Sequence, residues 1–208
     1  MLVDKTIKDF LLETASDNPA PGGGSVAALC GSLGAALATM VCNLTIGRDK
    51  YQDFEAEFKK IKPKLEKNIE TLQKLVDDDT NAFNDVMSAF KLPKDTDEQK
   101  KLRSEAIQTG YKKAISVPLE TAKTALNTLS FMELIVTKGN QNAITDGAVG
   151  ALTSETAIKG ALLNIKINLT SIKDQNYVME TKKTISEIEN TMNNYLHNIL
   201  SIIEKIFS

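Results

Sequence analysis

Apolar residues recur along this chain at steps of three and four, and no segment sustains an alternation of apolar and polar residues. The pattern therefore predicts helix almost throughout and no sheet. Leu2 to Ala15 reads as a first amphipathic helix, stopped by Ser16, Asp17, Asn18 and the prolines at 19 and 21. Gly22, Gly23 and Gly24 lead into an uncharged helix from Ser25 to Ile46, with Ser25 placed to cap it and Gly47 to end it. From about Tyr51 to Phe90 a seam can be followed through Leu65, Ile69, Leu72, Val76, Asp79, Phe83, Val86 and Phe90. Its steps alternate four and three, the rhythm of a helix packed along a neighbour, and Pro63 predicts a kink or break near its start. Lys91 to Asp97 reads as a loop, and Glu98 to Lys138 as helix, bent or interrupted at Pro118. Gly139 to Gly147 reads as a second loop, followed by helix to about Leu169, and Asp174 and Gln175 turn the chain into the last helix. There Ile185, Ile188, Met192, Tyr195, Ile199, Ile202 and Ile206 repeat the seam, and Leu196, Leu200 and Ile203 widen it.

With 208 residues the chain suffices for one core, so a single all-α domain over residues 1–208 is expected, a bundle of long helices around the uncharged one. Lys and Arg (25) nearly balance Asp and Glu (27), which argues against a nucleic-acid partner or an anionic membrane surface. The uncharged stretch is long enough to span a bilayer. However, it is as rich in Ala, Gly, Ser and Thr as in Leu and Val, so a helix buried on every side is the preferred reading, and no membrane partner is expected. Within it Ala27, Gly31 and Ala35 form a stripe of small residues along which another helix can approach. Cys30 and Cys42 are too far apart on one helix to bridge and read as buried thiols of a reducing cytoplasm; the acidic, short-run N-terminus does not look like a secretory signal.

Asp79 is the residue that bears most directly on chemistry, because the seam places a carboxylate among apolar neighbours. Desolvation there raises a carboxyl pKa unless a cation or donors hold it ionised. The plainer alternative is that Asp79 pairs structurally with a Lys, an Arg or a helix N-terminus across the bundle. The turn Pro19-Ala20-Pro21-Gly22-Gly23-Gly24-Ser25 lets backbone amides approach a ligand at a helix N-terminus, though it serves equally as an ordinary tight turn and cap; it lacks the Lys-Ser/Thr of a nucleotide loop. Thr145 or Asp146 reads first as a helix N-cap. Asn164 and Asn168 share a helix face beside the small residues Ala157 and Ala161, so their amides can meet a pterin edge or cap a neighbouring helix, and Asn43 has the same two readings. His197, the one histidine, turns to the polar side of its helix. One His and two distant Cys give no zinc site, and no Ser-His-Asp or Cys-His arrangement is supported.

The run Phe10-Leu11, Ala15-Ser16, the proline-glycine turn to Ser25, then Met40 and Asn43-Leu44-Thr45-Ile46-Gly47, resembles the opening of the cyclodeaminase/cyclohydrolase family. That family comprises the C-terminal domain of formiminotransferase-cyclodeaminase and the stand-alone bacterial methenyltetrahydrofolate cyclohydrolases. The likeness continues in order through Asp79, Ala82-Phe83, Leu92-Pro93, Arg103, Val117-Pro118-Leu119, Gly139-Asn140, Asn142-Ala143, Asp146, Asn164-Ile165 and Ile167-Asn168, and so spans most of the chain. Thr145-Asp146-Gly147-Ala148 stands where the family usually has Ser-Asp followed by Ala-Gly, which keeps the hydroxyl and the carboxylate but alters the loop.

The resemblance implies an all-helical homodimer acting on one-carbon tetrahydrofolates, with no tightly bound cofactor. The reaction it implies is cyclodeamination of 5-formiminotetrahydrofolate to 5,10-methenyltetrahydrofolate, with methenyltetrahydrofolate cyclohydrolase as the alternative and a non-catalytic folate-binding or scaffold protein as the third. Either reaction needs a proton acceptor, a donor and negative charge near a cation. Asp79 is then expected as the acid/base group and Asp146 as electrostatic partner, with Gly22, Gly23, Gly24, Ser25, Asn43, Thr145, Asn164 and Asn168 positioning the folate. Arg48 and Arg103 are candidates for its glutamate tail, single or polyglutamyl, against the plainer reading of surface salt bridges. The uncharged helix and the wide face of the last helix together offer more apolar surface than one chain easily covers, which again predicts a homodimer, with a site that can draw on both subunits.

Overall fold

A computed structural model describes the backbone of residues 1–208 and every side chain except that of Phe207. Seven α-helices run in the order α1 (Ile7–Thr14), α2 (Gly23–Thr45), α3 (Glu55–Phe90), α4 (Asp97–Leu129), α5 (Met132–Lys138), α6 (Ile144–Leu169) and α7 (Gln175–Phe207), with short 3-10 turns at Leu2–Asp4, Asp49–Phe54 and Gln141–Ala143. No strand occurs among the described residues. The all-helical reading stands.

The boundaries differ in instructive ways. The expected first helix splits: Thr6 leaves the helical conformation and accepts a hydrogen bond from the Asp9 amide, so α1 starts only at Ile7. Its Phe10 is buried with Ala28, Ala35, Leu72, Leu75 and Val76, while Ile7, Leu11 and Leu12 stay exposed. Neither Pro63 nor Pro118 breaks its helix. Pro118 is buried, and packing around it outweighs the single backbone hydrogen bond that a proline removes. The break expected there falls instead at Ser130 and Phe131, where the Ser130 hydroxyl donates to the Asn127 carbonyl (2.6 Å) and the chain tightens before α5.

Helix α2 lies between α3 and α6 and also touches α4 and α5. Its pairing with α6 is antiparallel: Gly23 meets Asn164, Ala27 meets Gly160, and Gly34 meets Gly150 and Ser154. The two backbones come so close at the last of these that a Cβ on Gly34 would sit 2.8 Å from the Gly150 carbonyl oxygen. Beneath α2 the main core gathers Phe58, Leu65, Ile115, Leu129, Met132, Ile135, Ile158, Leu162 and Ile165, and α7 adds Ile185, Ile188, Met192, Leu196 and Ile199. The wide face of α7 is thus largely covered within the chain. Cys42 is buried, its thiol pushed up to about 12 chiefly by burial; Cys30 is half-buried, and both are free.

Helix α2 is not buried on every side. Leu33, Ala36, Met40, Asn43 and Leu44 are exposed along one flank, and Val149, Leu152, Leu163 and Ile167 of the adjoining α6 are exposed beside them. Together they form an apolar strip with no charge along α2, running the length of the helix pair.

Candidate active site

The turn between α1 and α2 crosses the C-terminal end of α6 and faces the C-terminal half of α3. A cleft of about 320 Å³ opens there, lined by Pro19, Ala20 and Gly22 to Gly24 on one side and by Asn164, Ile167 and Asn168 on another. Asp79 stands within it, and Phe83, Met87, Phe90 and Tyr111 supply apolar and aromatic walls. That volume is at the lower end of the range for small-ligand sites, about 300–1,000 Å³. A larger cleft of about 420 Å³ lies behind the Val86–Gly110 contact between α3 and α4, but its charged groups are the exposed pair Lys113 and Asp85 (2.6 Å), with no desolvated acid or base. The chemistry therefore points to the first.

Helix α2 begins one turn earlier than its apparent cap predicts. Gly22 is the N-cap, and Ser25 lies inside the helix, wholly buried. Its hydroxyl does not cap; it donates to the Val76 carbonyl on α3 (2.8 Å) and lies 3.2 Å from Asp79 Oδ2 and 3.3 Å from Thr80 Oγ1. One proton cannot serve every acceptor, and the shorter contact is to Val76. Asp79 is thus incompletely compensated. Burial pushes its carboxyl above the usual range, against the opposing effect of the Ser25 hydroxyl and backbone amide. No Lys or Arg pairs with it among the described residues; of the structural partners expected for it, the helix N-terminus is the one present, through the Ser25 hydroxyl and amide in the first turn of α2.

Gly24 is what allows this arrangement. A Cβ there would collide with both carboxylate oxygens and the carboxyl carbon of Asp79, so only glycine lets the helix backbone meet the acid so closely. Gly24→Ala is expected to displace the Asp79 carboxylate. The overpacking should cost about 1–3 kcal/mol of stability and turnover should drop at least about tenfold, checked by thermal melting alongside initial rates. Unchanged turnover in a folded Gly24→Ala protein would show that the close approach is not needed.

The two amides on α6 behave differently. Asn164 donates to the Gly160 carbonyl one turn back (2.9 Å), with its amide beside Gly23. Asn168 donates to the Ala114 carbonyl (3.0 Å), which ties α6 to α4 at the cleft that Asn168 helps to line. The aromatic walls were not singled out from the sequence as site residues. Phe83 and Phe90 are in the α3 seam, but Tyr111 carried only a faint signal, as the one aromatic residue in α4.

The remaining candidates lie elsewhere in the chain. Asn43 is exposed at the C-terminal end of α2, and Thr145 (exposed) and Asp146 (half-buried) fall in the first turn of α6. Neither Thr145 nor Asp146 is the N-cap; Ala143 holds that position, after a 3-10 turn that Asn140 caps. Asp146 stands eighteen residues from Asn164 on α6, about 27 Å along the axis. One chain therefore holds two groups of candidates at opposite ends of the α2–α6 pair. Asn140 secures the second end: its side chain donates to the Leu44 carbonyl (3.0 Å) and accepts from the Asn142 amide (3.0 Å), and its own amide donates to Thr45 Oγ1 (2.9 Å).

Sequence and structure comparisons agree with one another. The profile of the formiminotransferase-cyclodeaminase family matches residues 6–187. A methenyltetrahydrofolate cyclohydrolase of Methylorubrum extorquens is 40% identical over 185 residues, 89% of each chain. The formimidoyltransferase-cyclodeaminase of Gallus gallus is 34% identical over 204 residues, which are 98% of this chain and 38% of that longer protein. Among solved structures, the formiminotetrahydrofolate cyclodeaminase of Thermotoga maritima superposes with a TM-score of 0.90 at 26% identity, over the whole of both chains. The chain belongs to the formiminotransferase-cyclodeaminase family.

Proposed function

We propose that this chain is a folate one-carbon enzyme working on the carbon that bridges nitrogens 5 and 10 of tetrahydrofolate, with Asp79 as its acid/base group. The observation that carries the reading is a carboxyl with a raised pKa and no cation, set in an aromatic-walled cleft against a glycine turn, in a chain of this family. In the cyclodeaminase direction, nitrogen 10 of 5-formiminotetrahydrofolate attacks the formimino carbon, the formimino group being protonated as an amidinium, and the nitrogen 10 proton passes to the Asp79 carboxylate. Asp79 then returns that proton to the exocyclic nitrogen, the carbon–nitrogen bond breaks, and ammonia leaves. The re-formed carboxylate stands opposite the methenyl cation. A raised pKa suits a group that must both take and give a proton near neutrality.

The second reading is cyclohydrolase chemistry, and the 40% identity to a protein of that name over 89% of both chains favours it specifically. Water then attacks the bridging carbon and gives one proton to Asp79; Asp79 passes it to nitrogen 5 as the carbon–nitrogen 5 bond breaks, and the remaining hydroxyl proton is released to solvent as the formyl carbonyl of 10-formyltetrahydrofolate forms. Two spectroscopic assays separate these: appearance of methenyltetrahydrofolate with ammonia from the formimino substrate, and disappearance of methenyltetrahydrofolate alone. A folded protein that binds folates yet performs neither would overturn both.

Assembly belongs to the same proposal. A homodimer formed through the uncharged flank of α2 and the adjoining flank of α6 covers Leu33, Met40, Leu44, Val149, Leu152 and Leu163, with the Lys159–Glu155 pair of α6 beside them. The strip is about 35 Å long and two helices wide, roughly 700 Å² per subunit, close to the standard interface of about 800 Å² per partner. Two-fold packing with α2 against its copy, crossing near mid-helix, sets the Asn43–Asp146 end of one subunit beside the glycine turn and Asp79 of the other. The two separated groups of candidate residues then meet, twice per dimer.

A further inference from the structure

Phe90 closes helix α3 and stands at the rim of the cleft, 41% exposed, in edge-to-face contact with Tyr111 of α4 (centroids 6.3 Å, planes at 84°). The carbonyl at such a helix end has no partner within the helix. Here Arg103 supplies one: Nε and Nη2 both donate to the Phe90 carbonyl oxygen (3.2 and 3.1 Å), and the same guanidinium lies over the Phe90 ring at 5.5 Å from its centroid. One turn earlier on the same face of α4, Gln99 Oε1 accepts from the amides of Asp95 and Thr96 (2.9 and 3.2 Å). The segment from Phe90 to Thr96 is therefore clamped at both ends by one face of α4. Arg103 makes no salt bridge among the described residues; its bonded nitrogens are committed to this carbonyl.

We infer that Arg103 is a positioning residue that holds Phe90 against Tyr111, so that the pair forms a fixed aromatic rim which grips the planar ring system of the substrate. The inference rests on the cleft being the folate site. It assigns Arg103 to affinity and leaves the proton transfers to Asp79. A planar fork is needed to bond one carbonyl through two nitrogens while covering the ring, which a lysine does only in part.

Steady-state kinetics of the intact protein on the one-carbon folate it turns over provide the test. Arg103→Met is expected to raise KM about tenfold with kcat within about twofold, and Arg103→Lys, which keeps a cation over the ring, to fall between it and the wild type. Phe90→Leu should raise KM similarly, and the double variant should be no worse than the worse single one, since both remove the same rim. An unchanged KM, a loss confined to kcat, or fully additive effects in the double variant would each overturn the assignment. A melting temperature unchanged in Arg103→Met separates positioning from general destabilisation. Amide hydrogen exchange of Lys91 to Asp95 supplies a readout independent of folate chemistry: faster exchange in Arg103→Met supports the clamp, and unchanged exchange removes it. A wild-type protein inert towards folates defeats the proposed function, and the clamp is then judged by exchange alone.

Discussion

Asp79→Asn is expected to lower turnover by about 10²–10⁴-fold, the usual contribution of one positioned acid/base group, with little change in KM. The amide keeps the shape of the side chain beside Gly24 and Ser25 but cannot accept and return a proton. Stability supplies the control. Burial raises the folded-state carboxyl pKa above its usual 3.8, so between the unfolded and folded values the folded protein binds the extra proton. Stability then falls as pH rises through that window, and the penalty of the buried charge is fully present above the folded pKa. Asp79→Asn carries no such penalty. Its stability relative to wild type should therefore be higher at neutral pH than at pH 3, by an amount read from denaturant midpoints at the two values. A relative stability no higher at neutral pH than at pH 3 would show that burial does not raise the Asp79 pKa, and wild-type turnover in the variant would remove Asp79 from the acid/base role.

Mixing two inactive variants should restore activity if the site is shared. In an Asp79→Asn homodimer every site lacks its acid, and in an Asp146→Asn homodimer every site lacks the carboxylate brought by the other subunit. Co-refolded at equal amounts, half the dimers are mixed, and each mixed dimer holds one doubly altered site and one intact site. About a quarter of wild-type activity is expected to return, against essentially none from either variant alone. The roughly 27 Å between the Asp146 turn and Asn164 along α6 makes the outcome decisive, because one chain cannot bring Asp79 and Asp146 to the same carbon. No recovery on mixing, a fully active Asp146→Asn protein, or full activity in a sedimenting monomer would each defeat the shared site.

Much of this architecture was legible in the chain because helical periodicity is local. The seam from Leu65 to Val86 places buried Leu65, Leu72, Val76 and Val86 as its steps imply. The same count singles out Asp79, since three- and four-residue steps alone decide which side of a helix a residue occupies. The exposed His197 and the Asp174 cap of the last helix, whose side chain accepts from the Tyr177 amide, were likewise readable from their near neighbours.

What depended on distant parts of the chain was not legible. Ser25 looks like a cap because its sequence neighbours are glycines, yet it serves α3, since Val76 offers its carbonyl from fifty-one residues away. Pro118 looks like a break by its chemistry and is held in a continuous helix by what surrounds it. Asp146 and Asp79 look like partners because both are candidate acids in one family pattern. The antiparallel pairing of α2 with α6 instead leaves them at opposite ends of that pair, Asp79 beside Gly24 and Asp146 in the first turn of α6. Spacing along a helix is set by the backbone hydrogen bonds of each residue with its fourth neighbour, whereas depth of approach and the meeting of ends are set by side-chain volumes on segments more than a hundred residues apart; Gly34 against Gly150 has no signature in either segment alone.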